Sequence, residues 1–171
     1  IAPDFRGLGL SDAPKGAYTM AAYADDLMKL LDRLRVQKAV IAGMSMGGYV
    51  AFELLRRYRD RVAGLILCDT KAEADTEDGK KGRDEMAALA ESKGNEAVAE
   101  RMLPRLLGRT TQQTQPQLVR QVKDMIVRAA EPGVAGALRA KRDRPDSTPL
   151  LATIDVPTLV VVGQEDELTP P

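Results

Sequence analysis

Apolar residues follow two rhythms along this chain, and the switch between them lays out the elements. Residues 38–42 contain the short apolar run Ala39-Val40-Ile41-Ala42 and predict a strand. Residues 61–68, rich in Val, Leu and Ile, do not alternate with polar residues. A continuous run of that length predicts a strand buried on both faces. Residues 157–162 repeat the pattern and predict a third buried strand. Elsewhere the period lengthens. Met20, Tyr23, Leu27, Leu30, Leu31 and Leu34 fall at helical spacing, with Asp25, Asp26, Lys29 and Arg33 off that stripe and Thr19 placed as N-cap. A second helix runs from Tyr49 to about Tyr58, directly after the first strand. Strand, helix and strand in repetition predict an α/β fold: a parallel sheet, its three strands adjacent in sequence order, with helices on its faces.

From Lys71 the composition changes. Residues 71–109 are dense in charge, and Met86, Leu89, Ala90, Val98, Met102, Leu103 and Leu106 fall at helical spacing. Residues 111–117 read as a polar linker around Pro116. Leu118, Val122, Met125 and Ile126 mark another helix, and Val134, Ala137 and Leu138 a short one after Pro132-Gly133. No strand signal interrupts this stretch. The chain therefore divides into a first core part, residues 1–70, an all-helical insertion, residues 71–148, and a second core part, residues 149–171. The charges of the insertion read as solvated helix faces. Near the start, residues 3–14 are rich in Gly and Pro and predict a loop, with Asp4, Arg6 and Ser11 tying it together. Gly7 and Gly9 do not continue into a nucleotide-binding fingerprint.

The chemistry concentrates at Ser45, in Gly43-Met44-Ser45-Met46-Gly47-Gly48. This is a G-x-S-x-G pattern between a strand and a helix, the setting a nucleophilic serine needs. The glycines let a sharp turn close and a substrate approach. A serine hydroxyl needs a general base, yet the chain contains no histidine. With no His and one Cys, no zinc site is expected. Lys and Arg number 25, as do Asp and Glu, so nothing favours nucleic acid or an anionic membrane surface. The apolar runs are too short to span a bilayer. Cys68 reads as a small buried hydrophobe, and a single cysteine fits the reducing cytoplasm.

Four segments, in order, resemble those of the α/β-hydrolase family, and its small esterase and lactonase branch in particular. Residues 2–12, Ala2-Pro3-Asp4-Phe5-Arg6-Gly7-Leu8-Gly9-Leu10-Ser11-Asp12, resemble the loop after a mid-sheet strand. Gly43 to Gly48 resemble the nucleophile elbow, and Leu65-Ile66-Leu67-Cys68-Asp69 the strand after the elbow helix. Residues 156–166, with Leu168-Thr169-Pro170-Pro171, resemble the strand and loop that present the catalytic acid.

The resemblance implies a partial α/β-hydrolase sheet with residues 71–148 as a helical cap. It implies Ser45 as nucleophile, the backbone N–H of Met46 as an oxyanion donor, and Asp166 as the acid that orients an imidazole. Asp69 also follows a strand and is the rival acid; Glu165 and Glu167 read as solvated neighbours. The implied activity is hydrolysis of a small carboxylic ester or lactone through an acyl-enzyme, without cofactor, as in a 3-oxoadipate enol-lactonase. Ser rather than Asp at position 45 disfavours dehalogenase and epoxide-hydrolase chemistry. Carbon–carbon bond hydrolysis or thioester hydrolysis on the same triad is the alternative, and a ligand-binding protein without catalysis another. The family carries further strands before residue 1, with the loop for a second oxyanion donor, and its histidine after the acid. The sequence is therefore read as part of a longer protein. On that reading the strand at residues 39–42 has a bare edge carrying Val40 and Ile41, and residues 1–171 alone are expected to be poorly stable and inactive.

Overall fold

The computed structural model describes residues 1–16 and 18–171. Helix α1, Met20–Arg33, begins where the Thr19 side chain accepts a hydrogen bond from the Ala22 N–H at 3.0 Å. Its buried residues are Met20, Tyr23, Ala24 and Met28, whereas Leu34 is exposed. The buried stripe is thus rotated from the expected one toward Ala24. That small residue and Ala51 of helix α2, Met46–Arg57, are both fully buried, and α1 packs on α2. Small side chains let two helices approach closely.

Strands β1, Ala39–Met44, β2, Val62–Cys68, and β3, Thr158–Val161, form a parallel sheet. Among the described residues the order is β1-β2-β3, as the sequence predicts. The register aligns the strand ends: Met44 is opposite Cys68, and Cys68 opposite Val161. Whatever follows each strand therefore lies on one edge of the sheet. Helix α2 packs on β1 and β2, and Val50, Leu54, Leu55 and Leu65 are almost fully buried in the core it forms.

The outer strands differ from the centre. Val40 on β1 is 60 % exposed and Val160 on β3 is 68 % exposed. The third strand was expected to be buried. Within the described residues it pairs with β2 alone, and its apolar side chains face solvent. Cys68, also expected inside, is half-buried at the end of β2.

Five helices lie between β2 and β3, the first four being α3, Glu77–Leu106, α4, Arg109–Thr114, α5, Pro116–Arg128, and α6, Glu131–Arg142. A short helix α7, Thr148–Leu151, then leads toward β3. Thr76 caps α3, its hydroxyl oxygen accepting from the Gly79 N–H at 3.1 Å. Gly94 breaks α3 at φ 76°, ψ 176°, a conformation open to glycine. The two halves pack on α6 and α5. Ala87, Ala135 and Leu138 make a small second core, while Ala140 joins the main one, so α6 bridges the two. Residues 111–117 were expected as a linker. Instead residues 109–114 are helical, and the Glu165 carboxylate accepts from the Thr110 N–H (3.0 Å) and hydroxyl (2.5 Å) at the start of that helix. A carboxylate supplied from 55 residues away satisfies a helix start that the local sequence does not cap. Among the described residues no helix is long and apolar enough to cross a membrane.

The N-terminal loop is tied as expected, though by other pairs. The Asp4 carboxylate accepts from the Leu10 N–H at 2.9 Å, and the Ser11 hydroxyl donates to the Asp4 carbonyl at 2.7 Å. Arg6 makes a two-pronged ion pair with Asp26 on α1.

Asp75 joins the helical span to the core. Its carboxylate, 5 % exposed, accepts from Arg83 at 3.0 Å and Arg144 at 2.8 Å. Arg144 also donates to the Glu73 and Lys141 carbonyls and stacks 4.3 Å from the centre of the Tyr49 ring. Burial alone would raise the Asp75 pKa; the bonds from Arg83 and Arg144 outweigh it and hold the carboxyl below its usual value. Its contribution to stability is therefore present above the unfolded-state pKa of about 3.9 and lost as pH falls through the folded-state value. Asp75→Ala leaves two guanidinium groups facing a vacated acceptor. It is expected to lower the free energy of unfolding by about 3–5 kcal/mol in urea titrations at pH 7. The deficit relative to wild type shrinks as the pH is lowered.

Candidate active site

Ser45 sits between the last residue of β1 and the first of α2. Its backbone is at φ 49°, ψ −112°, which a residue with a side chain rarely adopts. Such strain costs on the order of 1–3 kcal/mol and persists only where the surroundings enforce it. Here the Ser45 N–H donates to the Cys68 carbonyl at 2.9 Å, and the Thr70 hydroxyl and Gly48 N–H donate to the Ser45 carbonyl at 2.8 and 3.0 Å. The turn is pinned to the end of the neighbouring strand.

The glycines divide by role. A β-carbon at Gly43 would run into the backbone of Gly47 and Gly48, and one at Gly48 into the Thr70 side chain. Those two positions must be bare for strand, turn and helix to close. At Gly47 a β-carbon meets open space, so that glycine is not required by any contact among the described residues.

A serine at the start of a helix ordinarily caps it with its own hydroxyl. Ser45 makes no such bond; its side chain is exposed and has no hydrogen-bond partner among the described residues. The next residue, Met46, opens α2, so its N–H has no carbonyl one turn earlier to bond. That amide lies at the positive end of the helix, beside the serine.

Asp166 lies on the loop after β3. Its Oδ1 accepts from the N–H groups of Leu168 (2.8 Å) and Thr169 (3.0 Å), and its Oδ2 from the Thr169 hydroxyl (2.5 Å). Partial burial would raise its pKa; the Thr169 and Leu168 bonds outweigh it and hold the carboxyl below its ordinary value. Thr169, itself buried, is a supporting residue that the sequence reading did not single out. The signal was present: an Asp followed three residues later by Thr is a local side-chain-to-backbone turn. Thr70 was missed for a different reason, since it acts across strands.

The rival acid is held differently. Asp69 follows β2 at φ 43° and accepts from the Gly163 N–H at 2.8 Å, while its own N–H donates to the Val161 carbonyl. It fastens the turn after β2 to the turn after β3. Glu165 is exposed, as expected, and also holds Thr110 of the helical span.

These pieces meet in one cleft of about 460 Å³, lined by Ser45, Asp69, Asp166 and Thr169 from the sheet edge and by Arg105 and Gly108 from the helical span. A second cleft of about 440 Å³ runs under the helical span. The two share Ser45, Arg105, Leu106, Leu168 and Thr169, so the serine stands at their junction. Among the described residues no group of three or more His, Cys, Asp or Glu is placed to hold a metal ion.

The sequence profile of the alpha/beta hydrolase fold matches residues 1–171. The chain belongs to the α/β-hydrolase family. This α/β-hydrolase is 27 % identical over 169 residues to 3-oxoadipate enol-lactonase 2 of Acinetobacter baylyi, covering 99 % of the chain and 62 % of that protein. It superposes with a TM-score of 0.96 on a thermophilic esterase from Thermogutta terrifontis, solved with malate bound, at 46 % identity over 99 % of this chain and 62 % of that one. It superposes with a TM-score of 0.89 on the enol-lactonase from Burkholderia xenovorans, at 32 % identity over 98 % of this chain and 63 % of that one. The α/β-hydrolase chain thus spans 62 % of the length of the curated relative.

Proposed function

We propose that this chain carries the nucleophile and acid of a serine hydrolase acting on a small carboxylic ester or lactone. The observation that carries the reading is Ser45: strained, pinned by its backbone, its hydroxyl uncommitted, on the same sheet edge as Asp166. The hydroxyl oxygen attacks the ester carbonyl as its proton passes to an imidazole. The Met46 N–H stabilises the oxyanion, worth about 3–4 kcal/mol for such a donor. The imidazolium returns the proton to the leaving alkoxide, and an acyl ester on Ser45 remains. Water, activated by the same base, then releases the acid and the free serine. Asp166 orients the imidazole and stabilises its cation. None of residues 1–171 is a histidine, so that base comes from outside them. Residues 71–148 act as a cap over the cleft, in a cytoplasmic enzyme.

The enol-lactonases and the esterase, each matched over nearly the whole of this chain, support a lactone or ester as substrate. Enol-lactone hydrolysis is the specific activity favoured. A fluorophosphonate tests the nucleophile directly, because it phosphonylates only an activated serine. Incubated with the complete protein, it is expected to label one peptide, at Ser45, by tandem mass spectrometry. Labelling elsewhere, or none in a protein that hydrolyses p-nitrophenyl acetate, would remove Ser45 from the role.

A further inference from the structure

Ser45 and Asp166 belong to turns on strands that do not touch. β2 lies between β1 and β3, so the sheet leaves a strand's width between the serine and the carboxylate. The residues that leave β2 fill that gap. Ser45 donates its N–H to the Cys68 carbonyl at 2.9 Å, and its carbonyl accepts from the Thr70 hydroxyl at 2.8 Å. Asp69, between those two, reaches the other way: its Oδ1 accepts from the Gly163 N–H at 2.8 Å. The Gly163 carbonyl in turn accepts from the Asp166 N–H at 3.0 Å. An unbroken run of bonds therefore leads from the backbone of Ser45, through two consecutive residues, to the backbone of Asp166.

Both side chains are tightly constrained. Asp69 is at φ 43°, a conformation that suits glycine, yet an aspartate stands there with its carboxylate turned onto the loop after β3. A turn that had only to reverse the chain would be easier with glycine. Thr70 sits against the start of α2, where a β-carbon on Gly48 would collide with its side chain. Its hydroxyl is thus wedged between the serine turn and the first turn of that helix. A β-carbon on Gly163 would lie 3.7 Å from the Asp69 carboxylate and 3.9 Å from the Asp166 β-carbon, so the two acidic residues flank that glycine.

We propose that Asp69 and Thr70 are positioning residues: together they form a bracket that sets the spacing between Ser45 and Asp166, and with it the place for the imidazole. This deepens the reading of Ser45 as nucleophile and Asp166 as acid, and rests on it. In this role neither residue takes a proton. Asp69 supplies an acceptor whose charge is incidental, and Thr70 supplies a donor. A displacement of about 1 Å within such a constellation can cost about 10²-fold in rate.

The test uses the complete protein, p-nitrophenyl acetate and variants that leave the backbone at ease. Asp69→Gly removes the carboxylate and suits the positive φ; Asp69→Asn keeps the acceptor and drops the charge. Turnover is counted per serine that a fluorophosphonate titrates to completion, which takes misfolded protein out of the measurement. Asp69→Gly is expected to lower kcat about 10²-fold with KM changed less than about 2-fold, while Asp69→Asn loses less than about 10-fold. Thr70→Val should lower kcat about 5- to 10-fold, and Thr70→Ser, which restores the donor, should recover it. The double variant Asp69→Gly/Thr70→Val should lose less than the product of the two, because either break already frees the spacing. The acidic limb of kcat/KM should move to lower pH in Asp69→Gly and hold in Asp69→Asn, since a carboxylate out of line no longer raises the imidazole pKa. Equal losses in Asp69→Gly and Asp69→Asn would make the charge decisive and overturn the bracket. So would wild-type kcat in Asp69→Gly or in Thr70→Val, or a double variant whose loss is the full product. Ser45→Ala keeps the two readings apart. If it is dead while Asp69→Gly and Thr70→Val turn over normally, the bracket falls and the nucleophile stands. Turnover surviving in Ser45→Ala overturns the nucleophile, and the bracket with it.

Discussion

Ser45→Ala is expected to lower turnover of p-nitrophenyl acetate by the complete protein roughly 10⁴- to 10⁶-fold without loss of the fold. The rate falls because the nucleophilic hydroxyl is gone; the fold survives because that hydroxyl is uncommitted. The side chain is exposed and bonds to nothing among the described residues, whereas its backbone N–H and carbonyl carry the bonds that pin the turn. Removing the hydroxyl breaks none of them. Ser45→Gly sharpens the test. Glycine adopts a positive φ without strain, so this variant should be equally inactive yet more stable by about 1 kcal/mol. Equal or lower stability in urea would show that the turn is not strained, and near-wild-type turnover in either variant would remove Ser45 from the mechanism.

Asp166→Asn should cost roughly 10³- to 10⁴-fold in kcat, and Asp69→Asn less than about 10-fold. Both substitutions preserve shape. An amide oxygen at 166 still accepts the Leu168 and Thr169 N–H groups, and one at 69 still accepts the Gly163 N–H. What each loses is charge, and at 166 also the acceptor of the Thr169 hydroxyl; only the acid facing the base needs the charge. The bonds from Thr169 and Leu168 keep the Asp166 carboxyl ionised below the usual range. Hence the acidic limb of the kcat/KM profile should follow the imidazole and not this carboxylate. The reverse order of the two variants would make Asp69 the acid.

The sheet was legible because each strand announces itself within a few residues. Runs such as Leu65-Ile66-Leu67 are short, apolar and bounded by turns, and the order of strands then follows from their connections. What covers a run is a different matter. Leu159 and Val160 are as apolar as Leu65 and Leu67, but exposure depends on neighbours that the run does not encode. The linker expected at residues 111–117 failed for a related reason. Thr and Gln are weak helix formers, and the group that steadies Thr110 is Glu165, far along the chain.

Ser45, Met46 and Asp166 could be singled out because their signals are local: a turn motif, a helix start, the end of a strand. Lys71 of the loop after β2, Arg105 of α3 and Lys141 of α6, which line the second cleft, lie far apart along the chain. Each taken alone is an ordinary charged residue on a polar face, and only the packing of the helical span over the sheet edge gathers them.

The bond between Glu165 and Thr110 joins the roof of the cleft to its floor. Glu165 is the immediate chain neighbour of Asp166, and Gly108 packs so closely on its side chain that a β-carbon there would collide with it. One side chain thus fastens the start of α4 to the residue next to Asp166, so a single substitution at Glu165 would strip both the helical span and the loop after β3 of the same fixed point.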